Sequence, residues 1–68
     1  MRIVTDENRI EGWCNVPEWK GEQMVISFNR LHDTWTVGMS MALPVSIESA
    51  AVVQECVTAA FAALRERI

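Results

Sequence analysis

The sequence predicts an α+β fold: a three-stranded antiparallel sheet, a meander, with one C-terminal helix packed on one face, in the order β-β-β-α. Three observations carry this. Apolar residues alternate with polar or small ones from Gln23 to Leu43, a helical stripe runs from Val53 to Ile68, and a shorter alternation spans residues 10 to 16. The expected sheet occupies about residues 10–43 and the helix about 47–67, within a single small domain of residues 1–68.

The hairpin is the clearest element. Met24, Ile26 and Phe28 alternate with Val25, Ser27 and Asn29, and Trp35, Val37, Met39, Met41 and Leu43 alternate with Thr36, Gly38, Ser40 and Ala42. Successive side chains of a strand point to opposite faces, so this pattern marks two strands buried on one side. Pairing Phe28 with Trp35, Ile26 with Val37 and Met24 with Met39 makes every pair on that face apolar. Asn29 and Thr34 then close the ladder around a four-residue loop, Arg30-Leu31-His32-Asp33.

Pro44 ends the second strand, and Ser46 stands where a helix N-cap is needed, with Glu48 in the favourable first turn. Val53, Val57, Phe61, Leu64 and Ile68 follow at spacings of four, four, three and four, with Ala50 and Ala60 alongside. This stripe is expected to face the sheet. The small residues Ala51, Cys56, Ala59 and Ala63 permit a close approach. In the N-terminal third, Ile10, Gly12, Cys14 and Val16 alternate with Glu11, Trp13 and Asn15, which gives a strand ended by Pro17. "RIVT" has the composition of a short strand and "DENR" that of a polar turn, and the three-stranded arrangement leaves the role of residues 1–9 open.

Composition narrows the function classes. The chain has 68 residues, half of them apolar, which sets it apart from disordered sequences. A domain this small buries only about 60% of its unfolded surface, so self-association, most simply a homodimer, is expected. The formal charge is −3 and no basic stripe is present, which argues against a nucleic-acid backbone as partner. No apolar run approaches the roughly 20 residues of a membrane span, and no leader pattern is visible. The expected location is cytoplasmic, with Cys14 and Cys56 as reduced thiols lying in different parts of the fold.

Chemistry is sparse. His32, two cysteines and the acids do not sit together in this arrangement, and a domain of this size has little room for a pocket, so no enzyme activity is expected. Structural zinc sites use close-spaced ligand pairs, and no such pair occurs. Gly12, Gly21 and Gly38 are isolated and form no phosphate loop, so no cofactor is indicated.

What remains is a recognition surface. Trp13 is expected on the sheet face opposite the helix, Trp19 in the acidic connection "PEWKGE", and Arg30, Leu31 and His32 at the hairpin tip. Tryptophan and arginine are enriched at interface hot spots. These five residues are the candidate partner-binding set. They point to a non-catalytic module that binds a larger protein, of the kind phages and mobile elements use as small regulators or inhibitors of host proteins. Two alternatives stand beside it. One is a DNA reader using Ser27, Asn29, Arg30, Thr34 and Thr36 on its sheet, since the fold is similar to the small arm-type DNA-binding domains of some recombinases. The other is a structural protein that assembles with itself.

Overall fold

A computed structural model describes residues 1–40 and 45–67. It is an α+β fold with an antiparallel sheet and one C-terminal helix. The sheet has four strands rather than the expected three: β1 (Arg2–Asp6), β2 (Arg9–Asn15), β3 (Gln23–Leu31) and β4 (Thr34–Met39), side by side in chain order. One turn of 3-10 helix, Pro17–Trp19, joins β2 to β3, and α1 (Ile47–Arg65) crosses the sheet. The expected strand residues Met41, Ala42 and Leu43, the strand stop at Pro44 and the stripe residue Ile68 lie outside the described residues.

The added strand is "RIVTD". Asp6 pairs with Arg9, so Glu7 and Asn8 form a two-residue turn, and the Asn8 amide donates to the Asp6 carboxylate at 2.9 Å. That local bond turns a polar stretch into a hairpin. Ile3 pairs with Gly12 and lies against the core.

The β3–β4 hairpin keeps the expected faces but not the expected register. Phe28 pairs with Val37, Ile26 with Met39 and Arg30 with Trp35, two residues along from the sequence expectation. A shift of two preserves which side each residue faces, which is why the apolar pattern could not detect it. The turn decides it. Leu31 pairs with Thr34 around a two-residue turn, His32-Asp33, with His32 in the left-handed region at φ 57. Thr34 Oγ1 donates to the Leu31 carbonyl at 3.0 Å and Thr36 Oγ1 to that of Asn29 at 3.2 Å. Arg30 and Leu31 therefore belong to β3, not to a loop.

The helix begins as its sequence requires, with the Ser46 hydroxyl accepting from the Ser49 amide at 3.2 Å. Its buried face is the expected one in part, with Val53, Val57 and Leu64 half-buried against the core, but it is turned towards smaller residues. Ser49, Cys56 and Ala60 are buried, while Phe61 is 44% exposed. Close approach explains the rotation. A Cβ added to Gly12 would lie 3.2 Å from the Ala60 Cβ, the Cys56 Sγ and the Ile26 Cγ2. The missing side chain at Gly12 leaves room for small helix residues, and a phenylalanine there would hold the helix off the sheet. The core is Ile10, Cys14, Val16, Trp19, Met24, Ile26 and Phe28 beneath Cys56 and Ala60. α1 lies chiefly over β2 and reaches β1 and β3.

Candidate functional site: an open apolar flank beside the helix

Placing α1 over β2 leaves the far side of the sheet uncovered. Strands stand about 4.8 Å apart and a helix is about 10 Å wide, so one helix covers roughly half the face of a four-stranded sheet. On the helix side of β4, Trp35 is half-buried, whereas Val37 and Met39 remain 59% and 43% exposed. Phe61 overhangs this flank from α1, its ring edge-on to that of Phe28 with centroids 4.9 Å apart. Half-buried Val57 stands on the same flank of the helix, one turn before Phe61, and Arg30, paired with Trp35, stands at the rim. The result is an apolar patch formed by one strand and one helix flank. Among the described residues nothing covers it. The alternation of β4 signals this patch, but sequence reasoning assigned its residues to the core.

The five residues singled out in the sequence are not brought together. Trp19 is buried in the core, so its ring is not a free surface. Trp13 lies on the opposite face of the sheet, half-buried, with the Arg2 guanidinium 5.2 Å from its ring centroid. Its Nε1 is buried with no hydrogen-bond partner among the described residues. Arg30 directs its Nε to the His32 carbonyl at 3.3 Å, which ties the tip to its own backbone. Leu31 is 54% exposed and lies on the opposite face from Phe28, with His32 at the apex of the turn.

Two clusters were not visible in the sequence. Glu18, in the 3-10 turn, accepts hydrogen bonds from the Ser49 hydroxyl and the Ser46 amide. Those bonds hold its carboxyl down at about 2, below the usual carboxylate range. The second cluster is Cys14 with Cys56. Sequence reading kept them apart, yet both are buried in one core cluster between β2 and α1. Burial first, and the Cys14 thiol second, push Cys56 up to about 11. A thiol so shielded stays protonated and acts as a small apolar group.

Three other features bear on function. An open groove runs along the solvent side of α1, lined by Met1 and by helix residues from Ala51 to Ala62. Among the described residues, no three of His, Cys, Asp and Glu gather into a possible metal site. By length and composition alone Ile47–Arg65 passes for a membrane span, as the core helix of a soluble domain also can, and 17% of that stretch is buried within the chain. Comparison with protein family models, with curated proteins and with solved structures finds no match for this chain.

Proposed function

We propose that this chain is a non-catalytic protein-binding module, a small regulator or inhibitor of the kind carried by phages and mobile elements, and that it binds through the β4 flank. The observation that carries the reading is the exposure of Val37, Met39 and Phe61 on the side of the sheet that α1 leaves open. Monomeric proteins keep such contiguous patches small, and larger ones mark interaction sites. The rim is polar, with Arg30 on one side, as interfaces require. The surface thus shifts from the hairpin tip and the tryptophans to the strand that follows the tip.

Reading DNA with the opposite face is less well supported. Arg30, the arginine on which that reading leaned, sits on the helix side of the sheet. Of the arginines on the opposite face, Arg2 stacks on Trp13 and Arg9 lies 3.8 Å from Asp6 and 3.9 Å from Glu11. Neither is left free for phosphates.

The test is cross-linking capture of proteins from the native host by tagged chain, by Val37→Lys and by Thr36→Lys. Thr36 is next to Val37 in sequence but faces the other side. Loss with Val37→Lys and retention with Thr36→Lys is the expected result. Undiminished capture by folded Val37→Lys overturns the proposed surface.

A further inference from the structure

We infer that the occupant of the β4 flank is a second copy of this chain, docked face to face so that α1 of each copy lies on the open sheet flank of the other. This rests on the reading of β4 as a protein-binding surface and names its occupant in the free protein, with which a host protein would compete for the same flank.

The helix supplies the first argument. From Ser49 to Leu64 its only charged residue is Glu55, and most of it is exposed. A surface helix that covers one sheet normally turns a charged face to water, whereas the solvent side of α1 carries alanines, Gln54 and Thr58 beside that single Glu55. The second argument is the stripe Ala50, Val53, Val57, Phe61 and Leu64. It is the most regular apolar periodicity in the helix, and the chain's own core uses only part of it: Val53, Val57 and Leu64 lie half-buried against that core, while Ala50 and Phe61 stay exposed. Its exposed edge, with Phe61 against Phe28, borders the open side of the sheet, where a neighbouring helix would lie.

One symmetric contact satisfies both surfaces. The uncovered flank is about one helix wide, and α1, 19 residues long, is an apolar helix about 28 Å in length. Stacking two copies about a two-fold axis sets the two stripes against each other as a helix–helix seam. It also places the solvent side of each helix on the other copy's Trp35, Val37 and Met39. The arrangement is isologous, as two-fold dimers are. A standard interface takes roughly 800 Å² per partner, about one sixth of the 4822 Å² surface of this chain. A foreign partner seated on the flank alone would leave the helix exposed. A second copy covers both.

The experiment is sedimentation equilibrium of the full chain over a wide concentration range, with folding checked by near-ultraviolet circular dichroism. The wild type is expected to be a dimer that dissociates on dilution. Val37→Lys, on the sheet side, and Ala50→Glu, on the helix seam, should each weaken association by roughly tenfold or more. Ala50→Glu adds an acid near the helix N-terminus, where it favours the helix, so loss of the dimer there is not loss of the fold. Thr36→Lys should leave the dimer intact. A wild type monomeric at every concentration overturns the inference. If that monomer still captures a foreign protein through Val37, only the occupant is wrong, and if it does not, the protein-binding reading falls with it. A dimer that survives both substitutions, or one that slows amide exchange along the free edge of β4, places the contact elsewhere and also overturns the inference. Binding of the monomer to phosphatidylcholine vesicles overturns it in favour of a lipid surface for the apolar helix.

Discussion

Gly12 sets the distance between helix and sheet. It lies at the middle of β2, and three different groups meet at the point where its Cβ would be, each at 3.2 Å: Ala60, Cys56 and Ile26. Two of these belong to the helix and one to the neighbouring strand, so no single side chain can move aside and relieve the contact. Gly12→Ala is expected to lower stability by about 1–3 kcal/mol, the usual cost of overfilling a packed core, as read from the midpoint of urea unfolding. The opposite result, a gain from removing a strand glycine, would mean that the helix rides further from the sheet than these distances indicate. His32 shows the other way a single residue governs the fold. Its positive φ allows a two-residue turn where composition suggested a four-residue loop, and the whole β3–β4 register follows from it.

At the scale of elements, the helix and its approach depend on a contact made 28 and 31 residues away in sequence, from Glu18 to Ser46 and Ser49. The carboxylate fills the role of an acid at a helix N-terminus although it belongs to a different element. Because the folded form holds this group at about 2 against an ordinary 4.5, its contribution is complete above about 4.5. It is lost as the pH falls from there towards 2. Glu18→Gln should therefore be less stable than the wild type near neutrality, and the gap should close on acidification through that window. Paired acid and urea titrations measure it, and a gap independent of pH would assign the effect to packing. The same scale explains what the sequence disclosed. The Ser46 cap, the extent of the helix and the faces of β3 and β4 were legible because each depends on local chemistry or on a period of two. The strand Arg2–Asp6 was not, because its turn rests on one Asp6–Asn8 bond. Nor was the orientation of the helix. Periodicity locates the most apolar stripe, and here the sheet takes the small Cys56 and Ala60 deepest, so Val57 is only half-buried against the core and Phe61 stands exposed at the edge of the open flank.

Across the described residues one helix serves a sheet wide enough for two, and this imbalance governs the expected thermodynamics of the whole molecule. If pairing with a second copy completes the layer, unfolding and dissociation are linked, and stability depends on protein concentration. A tenfold rise in concentration is worth about 1.4 kcal/mol per dimer, hence about 0.7 kcal/mol for each chain. For domains of this size 1 kcal/mol moves the melting temperature by roughly 4–8 °C, so the wild type should gain about 3–6 °C per tenfold in concentration. Val37→Lys should melt lower than the wild type at high concentration and at a temperature independent of concentration. Its curve should meet that of the wild type at high dilution, because Val37 is 59% exposed in the single chain and contributes little to the core there. Scanning calorimetry of both proteins over the same concentrations makes the comparison. Parallel curves, offset at every concentration, would instead mean that Val37 stabilises the monomer and that the flank is part of the core after all.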